Sequence, residues 1–122
     1  MPDLTPSWAD PRHVLRQVMN KASGMGFSCY VHPEIEFFVL NSLNTQGQRP
    51  QPIDNGGYFD QAFHDTAPHY RRHVIEALES MGISVEFSHH ETAPGQQEID
   101  FRFAAALSMA DNIMTFRYLV KE

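Results

Sequence analysis

The sequence is short of cysteine, of basic residues and of long apolar runs, and each shortage excludes something. Cys29 is the only cysteine. No intramolecular disulfide can form, which fits a reducing cytoplasm. No stretch approaches the roughly 20 apolar residues that a membrane-spanning helix needs. The opening residues Met1-Pro2-Asp3-Leu4-Thr5-Pro6 have neither a basic nor an apolar segment of the kind that begins a signal peptide; the expected location is cytoplasmic. Nine Lys and Arg stand against fifteen Asp and Glu, a formal net charge of −6. Such a chain repels phosphate backbones and anionic lipid, so neither a nucleic acid nor a membrane is expected as a partner. An acidic excess suits divalent cations, but charge alone does not argue for one. What is present is globular in kind: 122 residues, 42% hydrophobic and 20% charged, are enough for one domain with a real core.

Local signals divide the chain. Asp10-Pro11 reads as an N-cap followed by proline at the first helical position. Val14, Leu15, Val18 and Met19 follow at helical spacing, and Gly24 and Gly26 end the helix. Phe27 to Leu40 reads as a strand, with Pro33 implying an edge position or a bulge. Residues 41–57 are polar and read as a long loop, ended by Tyr58-Phe59-Asp60; loops of that length are often functional. His69 to Met81 is predicted helical (Tyr70, Val74, Ala77, Leu78 and Met81 on its apolar side), with Gly82 as its cap. Ile83 to Phe87 starts a strand, with Ile83, Val85 and Phe87 expected on one face. Pro94-Gly95 marks a turn or bulge, and Ile99 to Phe103 resumes the strand. Ala104 to Lys121 is predicted helical through Leu107, Ala110, Ile113, Met114 and Tyr118, with Ser108 or the residues before it as cap. The order implies an α+β fold, an antiparallel sheet with flanking helices.

The chemistry sits in acidic residues on strands. Glu34 and Glu36 are two apart, so a strand presents both on one face, roughly 6–7 Å apart. Like charges so placed need a cation, a basic partner or open water. The plain reading is a solvated strand face. The following Phe37-Phe38-Val39-Leu40 argues otherwise, because it predicts a strand buried on both faces beyond the carboxylates. A second cluster holds Glu86, His89, His90, Glu91 and Glu98. Glu91 and Glu98 are seven apart, which opposes them in a straight strand; a bulge or turn at Pro94-Gly95 returns both to one side. Carboxylate oxygens suit Mg²⁺ and Mn²⁺. For His89-His90 the plain reading is one buried, hydrogen-bonded histidine and one exposed. Zinc is the rival, but no cysteine cluster or H-E-x-x-H motif accompanies the pair.

Three segments in order, His32-Pro33-Glu34-Ile35-Glu36-Phe37-Phe38, Gly56-Gly57-Tyr58-Phe59 and His89-His90-Glu91-Thr92-Ala93-Pro94-Gly95-Gln96-Gln97-Glu98, resemble the first metal-site motifs of glutamine synthetase, of the type-I-like bacterial branch. The resemblance runs from about Ala9 to Glu122. It implies ATP-dependent condensation of glutamate with ammonia through a γ-glutamyl phosphate, with two divalent cations, Mg²⁺ or Mn²⁺, on the phosphates and the substrate carboxylate. On that resemblance Glu36, Glu91 and Glu98 hold the cation nearer glutamate and ammonia, and Glu34 is a ligand of the cation nearer the ATP phosphates. Glu86 and Phe103 correspond to nucleotide contacts, Phe103 beside the adenine, and Tyr58 to the ammonium pocket. Without the resemblance, Phe103 reads as ordinary core and Tyr58 as packing at a strand start.

The resemblance also implies what these 122 residues do not carry: an N-terminal β-grasp domain that completes the neighbouring subunit's site, and the C-terminal half of the catalytic domain. That half brings a histidine and a glutamate to the second cation, the glutamate-binding loop, and arginines for the phosphates. The chain is accordingly expected to be a central piece of a catalytic domain, inactive by itself. The stacked hexameric rings of the family, a homo-dodecamer, are not expected of it. Two alternatives remain open. One is ligation of glutamate to another amine, such as a polyamine or ethanolamine; the other is a non-catalytic truncated piece. Converging carboxylates also predict that at least one of Glu34, Glu36, Glu91 and Glu98 titrates above about 4.

Overall fold

The computed structural model describes residues 1–42, 49–61 and 66–121. Its elements run α1 (Pro11–Gly24), β1 (Tyr30–Val31), β2 (Glu34–Phe38), β3 (Leu40–Ser42), β4 (Gln51–Pro52), α2 (Thr66–Ser80), β5 (Val85–His90), β6 (Gln96–Phe101), β7 (Ala104–Ala105) and α3 (Ala106–Leu119). They fall into two compact units, one of Met1–His32 with Phe103–Glu122 and one of Pro33–Arg102.

In the first unit Asp10 caps α1 as its sequence predicts, its carboxylate accepting the Arg12 N–H at 3.0 Å with Pro11 at the first position. α1 buries no residue completely; Val14 and Val18 of its stripe are exposed. Arg12 binds Asp111 of α3 through two N–H groups, both at 2.8 Å. β1 pairs antiparallel with β7. α3 has no side-chain cap: Ala105 stands at its N-cap position, not Ser108. The buried residues of α3 are Ala106, Met109 and Phe116, whereas Met114 and Tyr118 of the expected stripe are exposed.

The second unit is built on a three-stranded antiparallel sheet in the order β2-β6-β5. Pro33 does more than mark an edge. It separates β1 from β2, so Phe27–Leu40 is three short strands and not one. β2 does lie at the sheet edge. Its burial alternates, with Phe38 exposed, so the expectation of burial on both faces fails. The polar stretch 41–57 is only partly loop, since β4 within it pairs with β3; residues 43–48 lie outside the described residues. α2 packs on one face of the sheet. There Ile99 and Phe101 of β6, Val74 and Leu78 of α2, and Ile83 are buried. β5 and β6 form the hairpin around Pro94-Gly95. A register shift between Val85 and Phe87 makes Glu86 the extra residue of a bulge. Val85 then opposes Phe101 and Phe87 opposes Asp100, so the two do not share the face expected of them.

Candidate metal centre

The face of the sheet away from α2 carries the acidic residues, and pairing register decides which of them meet. Glu36 of β2 opposes Glu98 of β6, and Glu98 opposes His89 of β5, one row across three strands. Glu34, Asp100 and Phe87 make the next row. Directly opposed side chains stand about 4.5–5.5 Å apart at Cβ.

Beyond β5, the turn at Pro94-Gly95 brings Glu91 back over Glu98, the outcome its sequence allows. Ligand atoms of His89, Glu91 and Glu98 all lie within 4.8 Å of one another. His89 Nε2 is 3.4 Å from a Glu98 oxygen, and its Nδ1 is 3.6 Å from a Glu91 oxygen. Glu36 lies in the same row but turns to Gln96, whose Nε2 donates to it at 2.6 Å. Glu34 stands beside Asp100, one row away. Of the four carboxylates read as ligands, two converge, and the third member of the cluster is His89.

Electrostatics mark the same spot. Glu98 is 5% exposed. Burial, followed by the neighbouring carboxylates of Asp100 and Glu91, pushes its carboxyl up to about 8. Glu91 moves the other way, held down first by the Thr92 N–H and aided by the Thr92 hydroxyl. A proton held by Glu98 among Glu91 and Asp100 relieves their repulsion; a divalent cation would do so more completely. Asp100 Oδ1 is buried and has no hydrogen-bond partner among the described residues. Two carboxylates, an imidazole and an orphaned carboxylate oxygen beside them fit a cation of the Mg²⁺ or Mn²⁺ kind.

Aromatic rings wall the cluster. Phe59 stacks on His89 at 4.5 Å and 8°, and Tyr58 meets it edge-on at 5.4 Å. Tyr58 is exposed. Behind this wall lies a pair that the sequence reading did not identify. Asp54 and His90 are both buried, with His90 Nε2 2.9 Å from Asp54 Oδ1. Burial opposes charge on Asp54, but His90 and the N–H groups of Gly95 and Gly56 outweigh it and hold the carboxyl low. The polar Asp54-Asn55-Gly56-Gly57 turn was the available signal. His90 thereby matches the buried, hydrogen-bonded histidine of the plain reading, while His89 is half-buried and not exposed. Of the expected nucleotide contacts, Glu86 is exposed at the bulge. Phe103, in the first unit, is 70% exposed and edge-on to Tyr30, so it is not core.

Residues 8–122 match the family profile described as glutamine synthetase, catalytic domain. The chain belongs to the glutamine synthetase family. It is 74% identical over its whole length to a glutamine synthetase of Mycolicibacterium smegmatis and 71% identical to one of Mycobacterium tuberculosis. A glutamine synthetase of Methanosarcina mazei is 48% identical over 99% of the chain. The chain spans 27% of the length of each of these relatives. A Plasmodium falciparum glutamine synthetase structure superposes with a TM-score of 0.84 at 20% identity, covering 98% of this chain and 29% of that one; that likeness carries the fold. The α+β architecture is thus that of part of the glutamine synthetase catalytic domain. Among the described residues, no helix is long and apolar enough to cross a membrane.

Proposed function

We propose that these 122 residues supply the cation-holding portion of a site for ATP-dependent ligation of glutamate with ammonia through a γ-glutamyl phosphate. The convergence of His89, Glu91 and Glu98 carries this reading, because two carboxylates and an imidazole with ligand atoms within 4.8 Å of one another are a donor set for a divalent cation. When bound, Mg²⁺ or Mn²⁺ would neutralise charge on the transferring phosphoryl group and the substrate carboxylate. Glu91 and Glu98 would hold the cation nearer glutamate, with Glu36 recruited by releasing Gln96. Glu34, exposed at the sheet edge, would serve the cation nearer the ATP phosphates. Tyr58, its ring against His89, would line the ammonium pocket. Exposed Glu86 and exposed Phe103 would each contact nucleotide, Phe103 by stacking on adenine. Glutamate, ammonia and ATP are then the small-molecule partners of the complete protein. A homo-oligomeric assembly of that complete protein and a cytoplasmic location complete the proposal.

Calorimetric titration with Mn²⁺ tests it. The chain should bind, Glu98→Gln should abolish binding, and Glu36→Gln should weaken it. A folded wild-type chain that binds no Mn²⁺ would remove the reading.

A further inference from the structure

We propose that Asp54 and His90 form a buried positioning pair that sets the tautomer and the ring plane of His89 for the cation site; the inference rests on the metal reading above. Asp54 gathers four donors. Oδ1 accepts from His90 Nε2 at 2.9 Å, the Gly95 N–H at 2.7 Å and the Gly56 N–H at 3.2 Å, and Oδ2 accepts from Gln97 Nε2 at 3.4 Å. Gln97 is held in turn by Arg71, which donates to its Oε1. The other end of the His90 ring is also fixed, with Nδ1 donating to the Glu91 carbonyl at 2.6 Å. Both ring nitrogens of His90 thus face acceptor oxygens.

The His90 carbonyl transmits this order to the cluster. It accepts the Phe59 N–H at 3.0 Å and His89 Nδ1 at 2.9 Å. A carbonyl oxygen cannot donate, so Nδ1 of His89 carries the hydrogen. In the neutral ring Nε2 then keeps its lone pair, and it is this nitrogen that faces Glu98. The same carbonyl anchors Phe59 in the left-handed region, φ 59°, an uncommon conformation for a bulky side chain. That conformation lets its ring lie flat on His89. One backbone oxygen therefore fixes both the protonated nitrogen of His89 and the ring that sets its plane. The clamp needs glycine beside it: a Cβ on Gly56 would lie 2.6 Å from His90 Nε2.

NMR of the chain with ¹⁵N-labelled histidine tests the pair in the absence of metal, by reading which His89 ring nitrogen carries the hydrogen. His89 should show a single Nδ1–H form. Asp54→Asn and Gly56→Ala should each admit the Nε2–H form and raise the Mn²⁺ dissociation constant by about 10- to 100-fold. Gly56→Ala keeps every hydrogen-bonding group, so it serves if Asp54→Asn does not fold. Leu78→Ala, which lowers stability through the core, should leave tautomer and affinity unchanged. A wild-type His89 in the Nε2–H form overturns the proposal, as does an unchanged tautomer in both variants. A tautomer shift in the variants of a chain that binds no Mn²⁺ supports the pair and removes the metal reading instead.

Discussion

Glu98→Gln should abolish the fall in stability that the metal-free chain shows as pH rises through the neutral range. The Glu98 carboxyl rises from an ordinary 4.5 to about 8 on folding, through burial first and then Asp100 and Glu91. Between those values the folded chain binds a proton that the unfolded chain has lost, so stability falls as pH rises through this window. Each unit is about 1.4 kcal/mol, and the side chain is nearly inaccessible to solvent. The loss by pH 8 is on the order of 3–5 kcal/mol, the lower figure allowing for water that enters the cluster as it ionises. Asp54 and Glu91 do not mask it. Their carboxyls are lowered, so the stability they contribute is present above their ordinary values and lost only as pH falls into the acid range. The glutamine variant removes the ionisation and keeps the size of the side chain. Urea unfolding near pH 5 and pH 8, with a chelator present, should give a steep fall for the wild type and a nearly flat line for Glu98→Gln. Adding Mn²⁺ should restore the wild type at the higher pH and leave the variant unchanged. Equal slopes for the two proteins would refute the argument, since no other substitution separates them.

Three further outcomes can be measured by chemical denaturation. Gly95→Ala should cost more than about 1 kcal/mol, because the position has φ +73° and a Cβ there would meet the Val39 carbonyl at 2.9 Å. Ile99→Ala, at a fully buried position, should cost about 2–5 kcal/mol, whereas Met114→Ala on the exposed side of α3 should stay within about 0.5 kcal/mol. Asp10→Ala should cost about 1 kcal/mol and speed hydrogen exchange in the first turn of α1, where Asp10 now holds the Arg12 N–H.

Features encoded within a few residues could be read from the sequence; features that depend on pairing could not. Asp10-Pro11 carries the start of α1 and Pro94-Gly95 carries the hairpin, because a cap and a turn are local events. Glu91 with Glu98 was readable for the same reason, as both flank that turn. The bulge at Glu86 has no local signature, and it exchanges the faces on which Val85 and Phe87 were expected. Asp54 lies 36 residues from His90 and 41 from Gly95, so nothing local ties them. Asp100 reads in sequence as one more strand residue, and only register sets it beside Glu34.

Register also explains why a cluster of like charges persists in a fold that it destabilises. Side chains alternate along β6: Ile99 and Phe101 are buried on the face that α2 covers, while Glu98 and Asp100 point the other way. A slip of one residue between β2 and β6 would put Ile35 opposite Glu98 and turn Glu34 and Glu36 toward the face that α2 covers. Removing Ile99 alone from the core costs about as much as ionising Glu98 does. A slip would expose several such residues together. The apolar face therefore selects the pairing, and that pairing gathers the carboxylates whether or not a cation is present. The core thus builds the site in advance, and a bound cation would stabilise the fold most under the neutral-to-alkaline conditions in which Glu98 ionises.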